Sequence, residues 1–218
     1  MNELIRWSWV VDHRGDFLDL TLEHLQLTFI AVAIGFLISF PLSVLSYKHK
    51  STYPPITWFT GFLYTIPSLA LFAFLVPFTG LSVTTAEIGL VSYTLLILIR
   101  NIVGGLDGVP EDVKEAARGM GYTERQILWR VELPTALPVI FAGIRIATVT
   151  TIGLVTVTAV IGQGGLGQLI LQGVRSLFNT AIIVGAVLSV LLAIVTDRLL
   201  VLSERRLTPW ASARSRVG

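Results

Sequence analysis

Glu115-Ala116-Ala117-Arg118-Gly119-Met120-Gly121-Tyr122-Thr123, running on through Glu124 to Pro134, is the stretch on which the reading of this 218-residue chain turns. Pro110 suits a first helical position, and Glu111 and Asp112 fall in the first turn, where the helix dipole favours acids. The spacing predicts a short helix to about Arg118, broken by Gly119 and Gly121. Thr123 followed by Gln126 is a capping box that opens a second helix, expected to end near Leu133-Pro134. Glu115 stands beside two small side chains, Ala116 and Ala117, and Gly121 leaves bare backbone at the bend. Small residues admit another protein's surface closely, and a carboxylate offers a charge-assisted partner to an arginine or lysine. Ile127, Leu128 and Val131 give the second helix an apolar face of the kind that inserts into a groove.

The rest of the chain places this stretch beside a membrane. Hydrophobic residues make up 53% and charged residues only 14%, against roughly 25% charged in an ordinary soluble domain; the mean hydropathy is +0.76. Five stretches approach the ~20 apolar residues a spanning helix needs: about Leu25–Tyr47, Ile56–Phe78, Thr85–Leu106, Leu137–Ile161 and Ala181–Leu202. Pro41 interrupts the first, and Pro67 and Pro77 divide the second into shorter pieces. The first fourteen residues carry Arg6, Asp12, His13 and Arg14 and no apolar run behind a basic start, so the first span is expected to be its own insertion signal. Asp16, Asp19, Glu23 and Gln26 oppose Leu18, Leu22, Leu25 and Phe29, an amphipathic lead-in at the interface, with Trp7 and Trp9 in an aromatic belt.

Lysines and arginines divide twelve against three across the spans, with Arg145 inside the fourth. The count puts the N-terminus outside and the C-terminus in the cytoplasm. It includes Arg214 and Arg216 of the tail. The expected organisation is an interfacial segment 1–23, a membrane domain 24–202 with a cytoplasmic loop 107–136, and a cytoplasmic tail 203–218. The absence of cysteine excludes disulfides and thiolate chemistry. His13, His24 and His49 do not stand at metal-ligand spacing, so neither metal nor catalytic residues are expected. A net charge of +2 gives no reason to expect nucleic acid. No GxxxxGK[ST] phosphate loop is present, so any ATP chemistry belongs to another polypeptide.

Glu115-Ala116-Ala117, three residues, Gly121, nine residues, Val131, one residue, then Leu133-Pro134 resembles the EAA signature of ABC importer permeases, with Val131 where isoleucine is commoner. The resemblance implies an all-α integral membrane protein, the type I ABC importer permease fold of five transmembrane helices with a cytoplasmic coupling-helix loop. The loop residues implied are Glu115, Ala116, Ala117, Gly121, Val131, Leu133 and Pro134. The implied partners are two cytoplasmic ABC ATPase subunits carrying ATP and magnesium, a second permease subunit (identical or homologous), an extracytoplasmic solute-binding protein, and the lipid of a bacterial cytoplasmic membrane. Further stretches look like the branch that imports glycine betaine, choline, carnitine and related osmoprotectants. They are Tyr64 to Leu71, Ile99-Arg100-Asn101, Glu132-Leu133-Pro134 through Ala142-Gly143-Ile144-Arg145, and Ile161 to Gly167. Amino-acid and methionine permeases share parts of these.

Tyr64, Pro67 and Ser68, in the interrupted second span, are candidates for a translocation path. So are Thr148, Thr151 and Thr158, which share one helical face, and Gln163 in the glycine segment. Membrane threonines also bond their own helix carbonyls, which is the competing reading. The segment Gly162–Gly167 reads as an outer gate, a receptor-docking turn or a plain loop. Arg145 either snorkels or pairs across helices, and Asp197 and Arg198 read as a structural ion pair. The alternative functions are a permease for an amino acid or another small polar solute, and a secondary transporter or channel. The last needs an acid deep in a span, and Asp197 is the one candidate found.

Overall fold

The computed structural model describes residues 5–210. The ends of the chain, including Arg214 and Arg216 of the orientation count, lie outside the described residues. Ten α-helices follow in order among them: α1 (Trp7–Asp12), α2 (Arg14–Lys48), α3 (Tyr53–Thr65), α4 (Ser68–Thr79), α5 (Val83–Asp107), α6 (Glu111–Gly119), α7 (Glu124–Ile127), α8 (Leu133–Val155), α9 (Leu166–Ser176) and α10 (Asn179–Leu207). Four continuous helical stretches are long and apolar enough to cross a membrane, and α3 with α4, bent by 95° at Ile66-Pro67, makes a fifth broken span.

Three differences from the sequence reading have local causes. The lead-in and first span are one helix, α2, of 35 residues, about 52 Å at 1.5 Å per residue; it runs through the expected boundary at 23/24 without a break. The second loop helix does not stop at Leu133-Pro134. Pro134 cannot donate to the Arg130 carbonyl, and its ring would press on it. The wide π turn Leu128–Glu132 accommodates that defect and carries α7 into α8. Finally, α9 is a helix of 11 residues beyond the glycine segment that the sequence reading did not anticipate.

In lipid, helices gain little from hiding apolar surface from one another, so close approach and hydrogen bonding hold them. The sequence of α2 supplies that approach. Ala31, Gly35, Ser39 and Ser43 follow at four-residue spacing on one face, all buried, with Ser46 continuing the row. A Cβ on Gly35 would come within 1.9 Å of Thr94 Oγ1 on α5. α5 returns the favour elsewhere: a Cβ on Gly89 would meet the Phe72 ring of α4 at 2.4 Å, and one on Gly143 of α8 would meet Asn101 at 2.4 Å. Around these contacts lie two apolar clusters. The one beside the α6–α7 loop, the inner cluster, gathers Leu98, Ile102, Leu106, Val109, Leu128, Leu133, Ala136 and Ile140. The outer one gathers Leu27, Ala31, Phe72, Ala86, Leu90, Val91, Val155 and Ile161.

These contacts predict a contrast among glycine substitutions. Gly89→Val and Gly143→Val are expected to lower the thermal midpoint of the purified protein in detergent, since overpacking costs about 1–3 kcal/mol. Gly15→Ala, in α2 with open space around it, is expected to hold or raise the midpoint, because alanine is the better helix former.

Candidate functional site: the loop of α6 and α7 and the broken helix

The loop begins with α6 and turns through a Schellman motif. The Tyr122 amide donates to the Ala117 carbonyl at 3.1 Å and the Gly121 amide to the Arg118 carbonyl at 2.9 Å. This turn sets Gly121 at φ +84, the left-handed region where a side chain is strained. α7 then opens with the full capping box: Thr123 N donates to Gln126 Oε1 at 2.8 Å, and Gln126 N to Thr123 Oγ1 at 3.4 Å. Arg118 clamps the two helices together, with Nη1 2.8 Å from Glu111 Oε1 and Nε 3.0 Å from Glu124 Oε1; Lys114 adds a 2.7 Å pair with Glu111. Arg118 and Lys114 hold the Glu111 carboxyl below its ordinary value.

The seven loop residues divide between two directions. Glu115, Ala116 and Gly121 are exposed, Ala117 and Leu133 are buried, and Val131 and Pro134 are half-buried. Glu115 has no ion pair among the described residues, although Glu111, Lys114, Arg118 and Glu124 around it are all paired. The apolar face expected on the second helix is not free. Ile127 and Leu128 are 1% and 2% exposed, and Leu128 sits in the chain's own inner cluster. The large apolar groups left outward are Met120 at the elbow and Trp129.

At the broken span, Pro67 is the exposed residue before α4 and Ser68 the half-buried first residue of it. The Tyr93 hydroxyl, from α5, donates to the Ile66 carbonyl left free by the break. The Tyr64 ring, 40% exposed, stands edge-on to the Tyr93 ring at 5.9 Å.

The threonine face is packed inside the chain. Thr148, Thr151 and Thr158 are buried within the chain, and their hydroxyls donate to the carbonyls of Ile144, Ala147 and Val155. Backbone carbonyls thus satisfy all three hydroxyls, and Thr148 also lines an apolar cleft of about 340 Å³ with Thr28, Ile144 and Thr196. The ion pair expected between Asp197 and Arg198 is replaced: Asp197 takes Arg145 in a forked pair at 2.8 and 3.2 Å, with Glu204 3.7 Å from Nη1. Arg145 therefore pairs across α8 and α10.

The glycine segment is a packed joint. Gly164 and Gly165 donate their amides to Glu23 Oε1, both at 3.1 Å, and Gln168 of α9 adds its side-chain amide at 3.2 Å. A Cβ on Gly165 would meet the Leu20 carbonyl at 2.5 Å. Gln163 is half-buried, its amide donating to the Thr158 carbonyl at 3.2 Å. A cleft of about 430 Å³ opens beside this joint, lined by Gly162, Gln168, Gln172 and Arg175.

Sequence reasoning missed the side chains that anchor loops to helices. Glu23 reads in sequence as part of the polar face of the lead-in, and its glycine partners lie 141 and 142 residues further along the chain. Glu87, in the second turn of α5, is 9% exposed with neither oxygen bonded among the described residues. It joins Asp197 as an acid within a span. His24 is fully buried, its Nε2 2.9 Å from the Ile152 carbonyl.

A family model described as binding-protein-dependent transport system inner membrane component matches residues 25–209. The chain belongs to that family. It is 42% identical over 206 residues to the osmoprotectant import permease protein OsmW of Salmonella typhimurium, covering 92% of this chain and 96% of that one. It is 40% identical to the choline transport system permease protein OpuBB of Bacillus subtilis, with 92% of each covered. An inward-facing form of the MetNI methionine ABC transporter superposes with a TM-score of 0.74 at 26% identity, over 90% of this chain and 98% of that one. The permease fold, the multi-pass membrane setting and the role as an ABC importer subunit rather than an enzyme follow from these matches. Importers of this family work with an ATPase and a substrate-binding protein.

The Glu111 clamp gives a pH prediction. A carboxyl held below its unfolded value of 4.5 stabilises the fold above that value and loses the contribution as pH falls through the lower, folded one. Amide-exchange protection across α6 and α7, corrected for intrinsic rates, is expected to be the same at pH 7 and 5.5 and to fall below about 4.5. Arg118→Ala is expected to shrink that step, the Lys114 pair with Glu111 remaining.

Proposed function

We propose that this permease subunit passes a quaternary-amine osmoprotectant, of the class of glycine betaine, choline and carnitine, inward through a pore built with a second permease subunit. Two cytoplasmic ATPase subunits drive it, and an extracytoplasmic binding protein delivers the solute. The N-terminus lies outside and the C-terminus in the cytoplasm. The observation that carries the coupling is the exposed Glu115-Ala116 surface beside the Gly121 elbow. Glu115 and Asp112 are the two carboxylates of α6 and α7 that are both outward and unpaired among the described residues, and Glu115 lies next to side chains small enough for a partner to approach. The names of the relatives support the solute class. Tyr64, Pro67 and Ser68, at the break in the second span, are assigned to the path, because interrupted helices in transporters line cavities rather than lipid.

Two measurements test this. Glu115→Lys is expected to abolish co-purification of the ATPase subunit and uptake, while Gly121→Ala, which strains the elbow by about 1–3 kcal/mol, weakens both. Undiminished ATPase binding in both variants rules out this docking surface. The solute class is read from thermal shifts of the binding protein with glycine betaine, choline and carnitine. Stabilisation by amino acids alone assigns the importer to them.

A further inference from the structure

α2 carries a polar contact at each end that the docking and path assignments leave without a task. At the cytoplasmic end, Tyr47 donates its hydroxyl to Glu132 Oε1 at 2.6 Å. Glu132 is 6% exposed and closes the π turn that leads from the docking loop into α8. Lys50 lies 5.0 Å from the centroid of the Tyr47 ring and is ion-paired with Asp107, the last residue of α5. Phe40 of α2 stands 6.1 Å from Trp129 in the same π turn. At the extracytoplasmic end, Glu23 holds the amides of Gly164 and Gly165 and the side chain of Gln168. Glu23 and Tyr47 belong to one unbroken helix, about 36 Å apart at 1.5 Å per residue.

We propose that α2 is the rod by which the docking loop moves the extracytoplasmic joint, and that Tyr47 is the positioning residue that latches the rod to the loop through Glu132. A buried carboxyl group is costly without a hydrogen bond, so a shift of the π turn that kept Glu132 buried would carry Tyr47 with it. The cation over the Tyr47 ring and its pair with Asp107 tie α5 to the same point. At the far end the Glu23 clamp has no slack: the Cβ positions of Gly164, Gly165 and Gly167 are blocked by backbone atoms at 2.5, 2.5 and 2.3 Å. A displacement of α2 therefore reaches the residues beside the α9 cleft.

The inference rests on α6 and α7 being the docking loop, and the two fail separately. The permease is purified with its ATPase subunit in nanodiscs, and amide exchange over residues 162–168 is compared with magnesium-ATP and with ADP. The wild type is expected to show a nucleotide-dependent difference. Tyr47→Phe is expected to keep the ATPase bound and to shrink that difference about tenfold, the scale of a lost hydrogen bond to a charged group. Glu132→Gln, which keeps an acceptor, retains most of it. The double variant Tyr47→Phe/Glu132→Leu removes both partners and so recovers thermal stability but not the response. A full response in Tyr47→Phe, its recovery in the double variant, or no nucleotide difference in the wild type overturns the latch. Loss of the ATPase from Tyr47→Phe also overturns it, by assigning the residue to assembly. Undiminished ATPase binding in both Glu115→Lys and Gly121→Ala overturns the docking surface instead, and the exchange comparison still decides the role of Tyr47.

Discussion

The fold depends on helices being able to approach α5. Between lipid-bathed helices there is little hydrophobic drive, and the surplus comes from close packing. α2, α3, α4 and α8 all lie against α5, and at three of these contacts a missing side chain makes room: Gly35 under Thr94, Gly89 under Phe72, and Gly143 under Asn101. Because α2 meets α5 along a row of small residues, the two run closely side by side for much of the membrane's thickness. The functional ends follow from that. Tyr47 reaches Glu132 and Lys50 reaches Asp107 because α2 and α5 arrive together at the end of the bundle that carries the α6–α7 loop.

A second constraint shapes the places where helices stop. Backbone groups freed inside a membrane must be satisfied by the protein itself. At Ile66 the Tyr93 hydroxyl does this; at Gly164 and Gly165 the Glu23 carboxylate does; before Pro134 the π turn redistributes the bonds. The first two repairs come from another element, so each also fastens two elements together. The irregular points of the chain are thereby its joints rather than its loose parts.

This explains what was legible in the sequence. Spans, their prolines, the glycine elbow and the capping box are written in nearest-neighbour and four-residue patterns, and apart from the early start of α2 at Arg14 they appear within a few residues of where the patterns place them. Glu23, Tyr47 and Glu132 were not legible because their partners are far along the chain: Glu23 meets Gly164 and Tyr47 meets Glu132 only once the bundle is packed. For the threonines of α8 and of the turn after it, the sequence shows the shared face but not its use. Their spacing on one face is real, but a buried face and a pore-lining face share a period, and only packing tells them apart. Asp197 was given its chain neighbour Arg198 when the fold supplies Arg145 from another helix.

The two-way division of the loop motif bears on why its residues span so long a stretch. Glu115, Ala116 and Gly121 face outward, while Ala117 and Leu133 are sunk in the chain and Val131 and Pro134 lie at the boundary. A docking surface alone would need only the outward set. Transmission of a push needs the second set too, because a patch on a floppy loop would yield before the membrane helices moved. The Arg118 clamp between α6 and α7, the buried Leu128 and Leu133, and the direct passage of the π turn into α8 make the loop continuous with the bundle. A signature that mixes contact residues with anchoring residues is what a lever requires.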